Sequence, residues 1–206
     1  MGNFDKYSNY NENTSFSSIV HGADKPVLEV EMNEMQQIVN TKVARIVKAI
    51  GACVLPLADT SLVFDKGTKV LTVADSIIYA DGGLTAYVKS AQVTLSNTNK
   101  CAYFKVEEVT ATMNTELKEF GNTAGAKVTN TIKDSRSPIE TTRRKVVQYT
   151  LMSGASVPEN TTTVKYVGVG TFNVDLNSFV DEKATSIADL GLSVNESGEM
   201  CVTYEE

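Results

Sequence analysis

Reactive side chains are scarce in this 206-residue chain. Its one histidine, His21, sits in the loop-like run His21-Gly22-Ala23-Asp24. A zinc site that takes two or more histidines from one chain is therefore excluded. A Ser-His-Asp triad would rest wholly on His21, and the plainer reading is an imidazole in a solvated loop. The three cysteines, Cys53, Cys101 and Cys201, stand 48 and 100 residues apart, with no C-x-x-C and no histidine nearby. An odd, scattered set points away from a disulfide framework or metal cluster, and toward small apolar core residues made in a reducing cytoplasm.

The remaining chemical motifs are fragments. Gly168-Val169-Gly170 begins like a dinucleotide fingerprint, but Asn173 stands where the third glycine belongs. Strand-like residues follow it, so a phosphate would meet no helix N-terminus. Gly154-Ala155-Ser156-Val157 starts like a nucleophile elbow, yet Pro158 replaces the closing glycine. No Walker-type loop is present. Glu107 with Glu108, or Asp175 with Asp181, are carboxylates of the kind that flank a glycosidic bond. Adjacent acids on a strand point to opposite faces, however, so Glu107 and Glu108 form no pair. The chain has no Trp, the best platform for stacking sugars, and only 7% aromatic residues. Arg136, Arg143, Arg144 and Lys145 make the most basic local patch, suited to phosphate, to an acidic neighbouring subunit, or to pairing with Asp134 and Glu140. No catalytic residue, cofactor site or metal site is predicted.

Composition sets the wider bounds. Charges sum to 19 − 25 = −6, the pI is near 5.0 and 42% of residues are hydrophobic. That apolar content supports a real core. A net negative chain starts from repulsion against nucleic acid and anionic membranes, so no nucleic-acid partner is expected. No run approaches the roughly 20 apolar residues of a membrane span. The polar start Met1-Gly2-Asn3-Phe4-Asp5-Lys6 carries no secretory signal.

Four segments follow from the patterning. Residues 1–25 are an extended arm rich in Asn, Ser and Tyr, with Phe4, Tyr7, Tyr10, Phe16, Ile19 and Val20 spaced along it. Such an arm either orders against a partner or frays. Residues 26–51 are an amphipathic helix. Pro26 suits its start, and Glu29, Glu31 and Glu34 suit the positive end of its dipole. Lys42, Arg45 and Lys48 suit the other end, and Gly51 supplies the stop. Leu28, Met32, Met35, Val39, Val43, Ile46 and Ile50 recur in steps of 4, 3, 4, 4, 3 and 4 as one apolar stripe. Ile38 and Val47 widen it toward a second neighbour. Either the β-part of the chain covers this stripe or the same helix from other copies does.

Residues 52–182 turn to a period of two. Runs 70–73, 77–80, 84–88, 91–95, 101–106, 109–112, 145–151 and 164–172 read as strands, with turns at Asp81-Gly82-Gly83 and Asn97-Thr98-Asn99. Residues 113–142 read as a long polar excursion, and 183–206 as short elements. The fold class expected is α+β, mainly β: an arm and one long helix, then an antiparallel β-sandwich or open barrel-like domain.

The run Gly22-Ala23-Asp24-Lys25-Pro26-Val27-Leu28-Glu29-Val30-Glu31-Met32-Asn33-Glu34-Met35-Gln36 resembles a motif of bacteriophage tail and baseplate structural proteins. There a tyrosine- and asparagine-rich arm leads into Gly-x-x-x-Pro-Leu-x-x-x-Glu-Leu-Asn-Glu-(Leu/Met)-Gln on a helix. Val27 and Met32 stand where that pattern commonly has Leu. A second run, Asp134-Ser135-Arg136-Ser137-Pro138-Ile139-Glu140-Thr141-Thr142-Arg143-Arg144, followed by a strand, is similar to the Asp-x-Arg-x-x-x-Glu-Thr-(Ser/Thr)-Arg-Arg run of the same proteins. With the β-rich stretch between them the matches span about residues 7–172.

The resemblance implies a non-enzymatic virion part, made in the bacterial cytoplasm. It would sit in the baseplate or at the fibre root of a phage tail or phage-derived particle. Fibre-type relatives continue into a receptor-binding shaft, whereas this chain stops at Tyr204-Glu205-Glu206, which favours an adaptor or fibre-root role. Expected partners are further copies of the chain, as a trimer or ring, and neighbouring tail subunits. The expected interface is Tyr7, Tyr10, Phe16, Leu28, Met32, Met35, Val39, Val43, Ile46 and Ile50, with inter-subunit charge contacts at Glu31, Glu34, Arg143 and Arg144. The alternatives are a capsid decoration or head-fibre protein, or a tail-associated glycan-binding or depolymerase protein.

Overall fold

A computed structural model describes residues 18–19, 29–57, 62–130, 144–181, 192–194 and 200–202. Most of the arm, with Tyr7, Tyr10 and Phe16, lies outside the described residues, as do His21, Leu28, Arg136 and Arg143. Helix α1 runs Glu29–Ile50 and ends where Gly51 takes φ 81°, a left-handed conformation that glycine adopts without steric cost.

Two four-stranded antiparallel sheets follow. In the first, β3 (Val70–Ala80) is central and β4 (Leu84–Thr94) runs along one side of it. Its other side is shared by two short strands. β1 (Cys53–Pro56) pairs with the C-terminal half, Cys53 opposite Tyr79, and β2 (Leu62–Asp65) with the N-terminal half, Leu62 opposite Val73. The second sheet contains β5 (Cys101–Ala111), β8 (Arg144–Gly154), β9 (Val164–Asn173) and β10 (Ser178–Asp181), in the order β10-β9-β5-β8. The small ribbons β6 (Leu117–Lys118) with β7 (Lys127–Val128), and β11 (Leu192–Val194) with β12 (Met200–Val202), complete the described strands.

The sheets face each other and bend into a half-barrel, with β4 beside β8 on one side and β1 and β3 beside β9 on the other. Leu71, Val73, Ile78 and Val88 from the first sheet meet Phe104, Val106, Tyr149, Val167 and Phe172 from the second in one buried core. The expected mainly β fold with one helix and an antiparallel β-domain is what the chain forms.

The strand runs 70–73 and 77–80 are one strand, and so are 84–88 and 91–95. The interruption has a local cause. Asp75 takes φ 38°, and the inward set switches from Leu71 and Val73 to Ser76, Ile78 and Ala80. On β4 the inward set switches from Ala86 and Val88 to Ala91 and Val93. Both strands change phase together, so their pairing register does not slip: Val70 faces Thr94 and Ala80 faces Leu84. The local polar groups are satisfied at the kink. Ser76 Oγ, fully buried, donates to the Ala74 carbonyl at 2.7 Å, and Leu57 N donates to the Asp75 carbonyl at 2.7 Å. The Asp75 carboxylate lies 3.6 Å from Lys89 Nζ.

The excursion between β5 and β8 closes the seam between the sheets. Asn122 Nδ2 donates to the Ser90 carbonyl of β4 at 3.1 Å, and Thr123 N donates to the Tyr149 carbonyl of β8 at 3.0 Å. Gly121, at φ +76°, packs so closely on the Val147 carbonyl that a Cβ there would collide with it. Covering the outer strands in this way masks their unpaired backbone groups. Glu116 holds the base of the excursion between Lys127 and Lys118, and these hydrogen-bonded lysines lower its carboxyl pKa.

Phe104 and Tyr149 form an edge-to-face pair with ring centroids 5.6 Å apart. The Tyr149 hydroxyl, near the Lys89 backbone, makes no hydrogen bond of ordinary geometry, and burial pushes its pKa up. Phe104→Ala should therefore cost about 3–5 kcal/mol of unfolding free energy. Tyr149→Phe should be neutral or stabilising, because it removes a buried group without a partner. Its advantage should grow above about pH 10, where the unfolded chain releases the phenolic proton that the fold retains. Denaturant melts of both variants at neutral and alkaline pH check this; a Tyr149→Phe variant that melts earlier would contradict it.

Candidate interaction surface

Helix α1 approaches the β-domain at the β3–β4 turn. Gly83 in that turn has φ +78°, and a Cβ there would stand 2.9 Å from the Asn40 carbonyl oxygen and 3.0 Å from the Ala44 nitrogen. Helix backbone thus lies directly on the hairpin. The turn expected at Asp81-Gly82-Gly83 serves a second purpose that sequence reading missed: Gly83 lets a helix sit on it. The paired glycines were the available signal, since one suffices for many hairpins.

This seat leaves the apolar stripe outward. Met32 is 50% exposed, Met35 44%, Val39 55%, Ile46 55% and Ile50 40%. Val43 is half-buried. Ile38 and Val47, read as flanking the stripe, are 3% and 2% exposed, so their neighbour lies within the chain. Half-buried positions also include the polar Asn33, Glu34, Gln37 and Thr41. The helix thus keeps polar side chains partly covered and its most continuous apolar face in water, the reverse of a helix docked on its own core. Covering the five exposed side chains would be worth on the order of 1 kcal/mol each at their present exposure.

The charges expected at an interface are dispersed. Glu31 and Glu34 are half-buried on α1, while Arg144 is exposed at the start of β8, opposite Ala111. Lys145 beside it pairs with Glu108 at 2.9 Å. The structure places the α1 residues together on one element and Arg144 on another sheet.

The motif fragments take structural positions. Gly168-Val169-Gly170 lies inside β9, at the bulge between Ala102 and Tyr103 of β5. A Cβ on Gly170 would collide with the Val180 carbonyl, so Gly170 serves close strand packing. Gly154 ends β8 against the Tyr103 ring. Glu107 is held 3.1 Å from Lys105, and Glu108 by Lys145, so the two acids answer to separate lysines. Cys53 is buried, which raises its thiol pKa, and Cys101 is half-buried with Sγ 3.5 Å from the Ala155 carbonyl. Among the described residues, no group of three or more His, Cys, Asp or Glu is placed to hold a metal ion, and no helix is long and apolar enough to cross a membrane.

One open cleft of about 530 Å³ lies at the β9–β10 turn, between Asn97, Lys100, Phe172 and Asp175, with Val180 at its edge. Leu176 in that turn is 70% exposed. The cleft brings one acid, one base and the Thr171 hydroxyl to a shallow, open wall. Its signal in the sequence was a leucine inside the polar turn Asp175-Leu176-Asn177.

Comparison of the chain with protein-family models, curated proteins and solved structures returns no match. The candidate surface therefore stands on its own geometry.

Gly83→Ala should destabilise the chain by about 1–3 kcal/mol, since it adds a side chain at positive φ and a contact against helix backbone. Hydrogen exchange of the α1 amides should accelerate more than that of β5. Equal protection of α1 in the variant and the parent chain would show that the helix is seated elsewhere.

Proposed function

We propose that the chain is a structural component of a phage-like tail baseplate or tail-fibre root, acting by subunit assembly and not by catalysis. The observation that carries this reading is the exposed stripe Met32–Met35–Val39–Ile46–Ile50 on a helix whose other side already meets its own chain. An apolar face of this length left in water marks a surface built for another subunit. The resemblance of residues 22–36 and 134–144 to tail and baseplate proteins supplies the kind of assembly, and the stripe lies on the helix that the first motif enters. The partners are further copies of the chain and neighbouring tail subunits. The β-domain, with its seam closed by residues 112–130, serves as a rigid block that carries the interface.

A chain carrying Val39→Asp or Ile46→Asp should fold, because both side chains are exposed, yet be absent from particles. Particles from the producing strain, probed with antibody to the chain, should bear gold label at the tail tip when the parent is expressed and none when the variant replaces it. Normal uptake of the variants would remove the stripe from assembly. Label on the head would move the chain to capsid decoration, and no label on intact or denatured particles would end the virion reading.

A further inference from the structure

The cleft at the β9–β10 turn is walled by two turns that brace themselves. In the turn joining β4 to β5, Asn99 N donates to Ser96 Oγ at 2.9 Å, and Ser96 N donates to the Asn99 carbonyl at 3.1 Å. In the turn joining β9 to β10, Leu176 N donates to Asn173 Oδ1 at 3.1 Å, and Asn177 Nδ2 reaches the Lys66 carbonyl at 3.4 Å. Phe172 N donates to the Lys100 carbonyl at 2.9 Å and so ties β9 to the start of β5. The Phe172 ring is 2% exposed and packs on Phe64, which backs the cleft with core. The cleft is therefore preformed, and its volume falls within the range of small-molecule sites.

Its polar lining is mixed and balanced. The amides of Asn97 and Asn173 are each held through the oxygen, which accepts from Lys69 Nζ at 3.3 Å in one and from Leu176 N in the other. Each therefore offers its NH2 group as a donor. Lys100 adds a cationic donor, Asp175 an acceptor, and Thr171 a hydroxyl that does both. Neither Lys100 nor Asp175 is ion-paired with another described residue, although both line one cleft. With one charge of each sign, the wall selects neither an anion nor a cation. A zwitterion would answer Lys100 and Asp175 but leave the two amides and the hydroxyl to water. A neutral ring bearing several hydroxyls, each both donor and acceptor, can satisfy all five side chains. Val180, 54% exposed at the edge, suits the C–H face of such a ring.

We propose that this cleft binds a neutral saccharide, one or two sugar residues of a glycan, without cleaving it. Asp175 is the one carboxylate among the described residues that line the cleft, whereas glycoside hydrolysis takes two. The aromatic ring among those residues, Phe172, is buried and offers no open face for stacking. A single site is accordingly weak, with a Kd of about 1 mM, and repeated copies of the chain would raise its avidity. The proposal is independent of the assembly reading, which rests on α1.

Titration of the 15N-labelled full chain with maltose, lactose, mannobiose and N,N′-diacetylchitobiose, followed through amide chemical shifts, tests it. Glycine and inorganic phosphate serve as the zwitterionic and anionic probes. At least one disaccharide should shift the amides of Lys100, Thr171, Asn173 and Asp175 and saturate in the millimolar range. Asp175→Ala and Lys100→Ala should each weaken that binding about tenfold, with the remaining amide shifts of the chain unchanged, since each removes a hydrogen bond to a charged group. No shift at these amides with any of the four disaccharides at about fifty times the expected Kd would overturn the proposal. So would saturation by glycine or phosphate alone, affinity indifferent to both substitutions, or release of monosaccharide during the titration.

Discussion

The constraint behind this molecule is that its two sheets consume each other's apolar faces. Phe104, Tyr149, Val167 and Phe172 on one side and Leu71, Val73, Ile78 and Val88 on the other fill a single core to which α1 contributes no residue. The helix consequently meets the β-domain at a turn, through glycine, where backbone lies on backbone. An amphipathic helix seated that way has only solvent, or another subunit, for its stripe. The interface follows from how the core was completed.

The core also depends on a device that holds β3 and β4 in register while their faces change. Asp75 and Lys89 mark the point at which both strands switch the set of side chains they turn inward. A change of phase in one strand alone would expose half of its core residues. Because it occurs in both, a hairpin of two eleven-residue strands can curve around the core while β1 and β2 divide the far side of β3 between them. Ser76, buried and polar, finds its partner in the backbone distorted by this kink.

Much of this was legible in the sequence, for reasons that differ by element. α1 was legible because charge order, apolar spacing and Gly51 agree on one helix. The strands were legible as β but not as continuous, because the phase change at Ala74-Asp75-Ser76 resembles a break when only alternation is followed. The seam-closing excursion read as merely polar, since its role rests on long-range contacts such as Asn122 with Ser90, which no local pattern encodes. The stripe itself was plain, but whether the chain covered it depended on where the sheets spent their apolar faces. Tyr7, Tyr10, Phe16, Leu28 and Arg143 lie outside the described residues, so the surface rests on Met32, Met35, Val39, Val43, Ile46 and Ile50.

The central claim is that the α1 stripe is open in the single chain and covered on assembly. Met32 and Met35 are built-in probes of it, and Met152, 38% exposed on β8, is an internal reference. Thioether oxidation follows exposure, so mild peroxide treatment read by peptide mass spectrometry reports each site. In dilute chain all three should oxidise readily. As concentration rises, Met32 and Met35 should become several-fold slower relative to Met152. Unchanged relative rates at every concentration and in assembled particles would contradict the account.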